Sequence, residues 1–235
     1  MHPTRRTARV AGLLYLLVVL TGMFVLIYVP ARLFVRGDSA ATASNILAHE
    51  SLFRGYIVVG LVSELLFISL VLALYRLLKG VNQQHAALMV MLVLMTAPLA
   101  LVGTANQVAT LAFVRGAESL TVFDKPQRDA VAMLLFNADK EGTLVAQIFW
   151  GLWLLPLGLL VFRSGFLPRI LGGWLVINGF AYVAISLTGL LLPQRVETVS
   201  KIAIPALLGE VVFTLWLLVV GARVQPSDAT ERSPG

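Results

Sequence analysis

GYIVVGLVSELLFISLVLALYRLL, residues 55–78, surrounds a single carboxylate, Glu64, with apolar side chains. As an α-helix this stretch rises about 36 Å, enough to cross a hydrocarbon core of about 30 Å. A charged carboxyl at the centre of such a span costs about 2.5 kcal/mol or more, which makes it a functional candidate. A second stretch, IAIPALLGEVVFTLWLLVVGA at residues 202–222, carries Glu210. Working outward, apolar windows of about 20 residues predict four further spans. The six lie near residues 9–29, 55–78, 86–113, 142–162, 170–192 and 202–222, and Glu64 and Glu210 are their only acidic residues. The expected fold class is all-α, a polytopic integral membrane bundle of six transmembrane helices with two short interfacial helices in the outer loops. One domain is expected over residues 1–224, followed by a disordered cytoplasmic tail at 225–235.

The composition excludes a soluble domain: 58% of residues are hydrophobic and 13% charged, against about a quarter charged in soluble domains. The net charge of +6 would suggest nucleic acid in a soluble protein. Here the basic residues sit in short loops beside apolar spans, so the expected partner is the lipid bilayer and no nucleic acid. Cysteine is absent, which removes disulfides, thiolate metal sites and cysteine nucleophiles. Three histidines, His2, His49 and His85, lie at the amino terminus, in the first loop and at the start of the third span. That scatter speaks against a histidine metal or haem site. His49-Glu50 lacks the second histidine of a zinc-protease helix, and the serines lack a Gly-x-Ser-x-Gly context, so no catalytic residues are assigned. The first apolar run, about 20 residues, exceeds the 7–15 of a signal sequence, and it is read as a retained span.

Orientation rests on placement, because the eighteen Lys and Arg divide nine and nine between the two sides. The set including Arg5, Arg6, Arg9, Arg76, Lys79 and Arg163 hugs the ends of the spans, and the other is spread over longer loops. Both termini are therefore placed in the cytoplasm of a bacterial cell, with the chain in its inner membrane. In the outer loops, Asp38 or Ser39 opens a helix expected to run through Arg54, with Ile46, Leu47 and Phe53 on its apolar side. Asp124 and Pro126 open a second, with a stripe of Val131, Leu134, Leu135 and Ala138. His49, Glu50 and Arg54 are the candidates at the outer mouth.

In this topology Glu64 and Glu210 lie about 13–15 Å from the outer ends of spans that run in the same direction, close to the midplane. Asn106, Gln107, Gln147 and Asn178 add polar groups to the outer half of the bundle. Two carboxylates brought together in low dielectric cannot both ionise cheaply, and such a pair can relay protons, hold a hard cation or bind an amine. Each glutamate has a plain alternative, a hydrogen bond to a neighbouring helix that stabilises packing by about 1 kcal/mol. Trp150 and Trp153 lie deep in the fourth span, either lining a chamber or packing around Gly151. Gly158, Gly172, Gly173 and Gly179 also permit close helix contact. A weak internal match pairs Arg9-Val10-Ala11-Gly12 with Arg169-Ile170-Leu171-Gly172, and Ser63–Phe67 with Gly209–Phe213. Duplication and chance similarity of apolar segments both account for it.

The run FWGLWLLPLG at 149–158, followed by RSGFLPRILG at 163–172, resembles a bacterial membrane family known as domain of unknown function 4386. Asn45–Ala48 with Leu52-Phe53-Arg54, and Gly209-Glu210 with Leu215–Leu218, extend the resemblance over nearly the whole chain. It implies a multi-span inner-membrane protein and no established activity. The leading functional expectation is binding or transport of a small molecule or ion, including proton-linked transport, at an outer-half chamber containing Glu64 and Glu210. The alternative is an accessory or scaffold membrane protein in which both glutamates are structural.

Overall fold

A computed structural model describes residues 3–117 and 120–222, and no strand occurs among them. His2 and the tail from residue 225 lie outside the described residues. Six helical segments are long and apolar enough to cross a membrane: Arg5–Leu33, Glu50–Leu78, Gln83–Arg115, Lys125–Arg163, Arg169–Leu191 and Pro193–Val219. The chain is a multi-pass, all-α membrane protein in contact with lipid. Ile170, 77% exposed, and Ile202, 74% exposed, would be a liability in water and are matched by acyl chains in a bilayer.

Helix α1 (Pro3–Met23) continues through a π-helical turn at Phe24–Tyr28 into α2 (Val29–Leu33). Pro30, which has no N–H to donate, follows directly on this widened turn. Gly37, at φ +79°, turns the chain into α3 (Ser39–Ala48), whose N-cap Asp38 accepts from the Ala41 N–H at 2.8 Å. Helix α3 stops short of the expected Arg54, because His49 leaves helical geometry and α4 (Glu50–Leu78) takes Phe53 and Arg54 into the second span. Leu47, expected on the apolar side, is exposed.

The third and fourth spans are each interrupted once. Met95 separates α5 (Gln83–Leu94) from α6 (Thr96–Arg115), and Trp153 separates α7 (Lys125–Leu152) from α8 (Leu154–Arg163). Each interruption comes three residues before a proline, Pro98 or Pro156, whose missing N–H frees the carbonyl four residues back. The second outer-loop helix and the fourth span form one continuous element, α7, since no proline interrupts residues 127–152. Its buried face also differs from the expected stripe. Asp129, Ala132 and Asp139 are buried, Phe136 stacks on Phe34, and Leu134 is 67% exposed. Two carboxylates occupy that face, so a count of apolar residues alone selects its neighbour. The last elements are α9 (Arg169–Leu191), a 3-10 turn at Pro193–Arg195 and α10 (Val196–Val219).

Contacts divide the chain into two compact units, Met1–Leu17 with Leu66–Met95 and Gln147–Gly235, and Val18–Leu65 with Thr96–Ala146. The first is drawn tight by glycines. A Cβ on Gly158 would lie 2.6 Å from the Gly172 carbonyl oxygen, and one on Gly172 would lie 2.6 Å from that of Gly158. Gly151 and Gly179 meet in the same reciprocal way one heptad along. This is the small-residue packing that lets membrane helices approach without a hydrophobic driving force. Gly173 faces open space and takes no part. The second unit packs Val29, Leu33, Ile46, Phe53, Leu111 and Val114 into an apolar cluster around the ring of Tyr56.

Candidate functional site

Glu210 is the centre of a polar cluster in the first unit. Its Oε1 accepts the Tyr15 hydroxyl from α1, and its Oε2 accepts Asn178 Nδ2 from α9 at 3.2 Å. The Tyr182 hydroxyl donates to the same carboxyl. Asn178 and Tyr182 are four residues apart on α9, so helical periodicity aims both at α10. Trp174, four residues before Asn178, donates its indole N–H to the Pro205 carbonyl at 3.1 Å. Its ring also covers Gly209, where a Cβ would come within 2.7 Å of Cδ1. Trp174, Asn178 and Tyr182 thus line one face of α9 and hold the Pro205–Glu210 segment in place.

Aromatic rings surround the cluster. The Tyr15 ring lies 6.1 Å from Trp153 and 6.2 Å from Phe213 between centroids. Phe67 sits edge-on to Trp153 at 5.2 Å, and Trp150 edge-on to Tyr182 at 6.2 Å. Trp153 is buried at the interruption in the fourth span, while Gly151 meets Gly179 and Val183, so the two tryptophans of this span pack on aromatic neighbours and the glycine makes the close helix contact. None of the ion pairs among the described residues involves Glu210; its donors are all neutral. Asn178 is completely buried, and its Oδ1 has no hydrogen-bond partner among the described residues.

Glu64 belongs to the second unit. It lies at the midpoint of α4, and its Oε1 accepts the Thr96 hydroxyl at 2.7 Å, at the first residue after the interruption in the third span. At the preceding residue, Ser63 Oγ accepts the Thr21 hydroxyl at 2.9 Å. Of the other expected residues, Asn178 joins Glu210, while Gln147, also in the first unit, has a buried Oε1 without a partner among the described residues. The Asn106 main-chain carbonyl accepts the Thr110 hydroxyl at 2.8 Å within α6. Of the residues expected at the outer mouth, Glu50 and Arg54 come together. Glu50 pairs with Arg54 at 2.7 Å and with Arg115 at 3.6 Å, and His49 Nδ1 lies 3.1 Å from the Asn45 carbonyl.

Gln107 leads to a group that the sequence did not single out. Its Nε2 donates to Asp139 Oδ2 at 3.0 Å, and the Tyr56 hydroxyl donates to the same oxygen at 3.1 Å. Tyr15, Tyr56 and Tyr182 were also missed, although a phenol inside an apolar span needs a polar partner and is a usable signal. Asp139 lies in the run Asn137-Ala138-Asp139-Lys140-Glu141, which reads as an outer loop. Its burial follows only from the continuity of α7.

A family model described as "Domain of unknown function (DUF4386)" matches residues 10–221. No curated protein and no solved structure matches the chain.

Proposed function

We propose, for a chain that belongs to the DUF4386 family, that it binds a small organic cation, a protonated amine, at Glu210. In this proposal the protein resides in the bacterial inner membrane with both termini cytoplasmic, and carries the amine through its helical bundle. The observation that supports it is a mid-span carboxylate held by three neutral donors, two of them tyrosines, with the Tyr15 ring packed near Trp153 and Phe213. An ammonium ion supplies the positive charge that the surroundings of Glu210 lack, and its methylene or methyl groups face aromatic surfaces that attract cations. The buried Asn178 Oδ1 offers an acceptor for an ammonium N–H. Glu64 serves as a second carboxyl station within its own unit, oriented by Thr96.

The test uses full-length protein in mild detergent, with thermal unfolding followed by tryptophan fluorescence. Methylammonium, ethanolammonium and putrescine are compared with neutral isosteres. Ligand at a hundredfold excess over its dissociation constant stabilises by about 2.7 kcal/mol, a readily measured shift. At least one amine is expected to raise the unfolding temperature of the native chain, and Glu210→Gln is expected to fold, elute normally and lose that shift. A shift retained in Glu210→Gln, or absent with every amine, refutes the site. In that event the accessory reading, with Glu210 as an interhelical tie, takes its place; it is favoured by the internal donors that both carboxyl oxygens already have.

A further inference from the structure

Asp139 is a second enclosed carboxylate, 8% exposed, and nothing proposed for Glu210 uses it. It meets the face of α6 formed by Gly103, Gln107 and Thr110, all three buried and spaced four and three residues apart. Both donors to Asp139, Tyr56 and Gln107, converge on Oδ2. Oδ1 receives no hydrogen bond among the described residues and lies against Gly103, where any Cβ would collide with it. Gln107, also 8% exposed, uses its N–H on Asp139 and leaves Oε1 buried without a partner.

Every unused atom at this centre is therefore an oxygen acceptor. No Lys, Arg or His forms an ion pair with Asp139 among the described residues. The buried amide oxygen of Gln107, which has no partner among the described residues, carries a desolvation penalty, and a cation that coordinates it together with the free carboxylate oxygen offsets it. Oxygen ligands select a hard cation, and a single carboxylate balances a single charge. No three His, Cys, Asp or Glu side chains gather at any point among the described residues, which disfavours a divalent or transition metal. We infer that Tyr56, Asp139 and Gln107 form a binding centre for one small monovalent cation of the sodium class, coordinated by Asp139 Oδ1 and Gln107 Oε1. Gly103 supplies the clearance that admits the carboxylate to this position, and the tight packing there favours the smaller alkali ions.

The experiment titrates lithium, sodium and potassium chloride against N-methyl-D-glucamine chloride at constant ionic strength, reading thermal unfolding of the full chain in detergent. A saturable rise in unfolding temperature is expected with lithium and sodium and a weaker one with potassium. Asp139→Asn abolishes it, and Gln107→Leu raises the midpoint concentration by about tenfold or more. Glu210→Gln keeps the full response, so failure of the amine proposal and failure of this one are told apart. If Asp139→Asn does not fold, Gln107→Leu, which leaves the carboxylate in place, decides. An absence of ion-specific stabilisation, or an unchanged response in Asp139→Asn or Gln107→Leu, overturns the inference and leaves water as the partner of these oxygens.

Discussion

At Glu210 a tyrosine hydroxyl and a carboxamide N–H reach different carboxyl oxygens, whereas at Asp139 the same two kinds of group converge on one. Each carboxamide, from Asn178 or Gln107, is then left with a buried and unpartnered oxygen. The surroundings diverge as well. Glu210 is held by Tyr15 and Tyr182, and the Tyr15 ring packs near Trp153 and Phe213, in a unit held by glycine contacts. Asp139 has one phenol beside it and a glycine under its free oxygen. In the two proposals the same kinds of donor serve two chemistries: aromatic surfaces favour an organic cation, and unpartnered oxygens favour an inorganic one.

Five substitutions, in three comparisons, probe the fold beyond the ligand experiments. The largest effect is expected at the glycine contact that braces the first unit. Gly158→Val drives a side chain into the Gly172 carbonyl and costs about 1–3 kcal/mol or more by overpacking, while Gly173→Val, which meets open space, leaves thermal unfolding in detergent near that of the native chain. Equal losses in the two variants would break the account of the first unit.

A smaller effect separates the tyrosines. Tyr15→Phe removes the hydroxyl that reaches Glu210 Oε1 and should lower stability by about 1–2 kcal/mol. Tyr56→Phe should cost about 0.6 kcal/mol, because Gln107 still donates to Asp139 Oδ2. Denaturation of the two variants side by side sharpens the comparison, and a reversed order contradicts it. The smallest effect is expected for Lys201→Ala. Its partner Glu197 lies 2.8 Å away and both side chains are more than two-thirds exposed, so the loss should fall below about 0.5 kcal/mol and shrink further in high salt.

Glu64 and Glu210 were legible in the sequence because a carboxyl inside hydrocarbon stands out against its neighbours whatever the fold. Asp139 was not, because Asn137, Lys140 and Glu141 disguise a buried position as part of a polar loop. The expected stripe on α7 missed for the same reason, as periodicity methods weigh apolar residues and this face carries Asp129 and Asp139. Tyr15 and Tyr182 pass as ordinary span residues until a partner on another helix gives their hydroxyls a role. Pro98 and Pro156 account for the interruptions of the third and fourth spans, but only the folded chain shows Thr96 on Glu64 and Trp153 beside Tyr15.

The sequence by itself determined that this is a six-span helical membrane protein, the family it resembles, and two costly carboxylates within its spans. Hydropathy and span length suffice for that, since each is a property of a local segment and bilayer thickness is constant. Only the tertiary structure decided that Glu210 meets Tyr15 and Asn178, that Glu64 meets Thr96, and that Asp139 is buried against Gly103. A hydrogen bond between helices depends on how each is rotated about its axis, and that rotation is set by contacts such as Gly158 on Gly172, whose partners are distant in the chain.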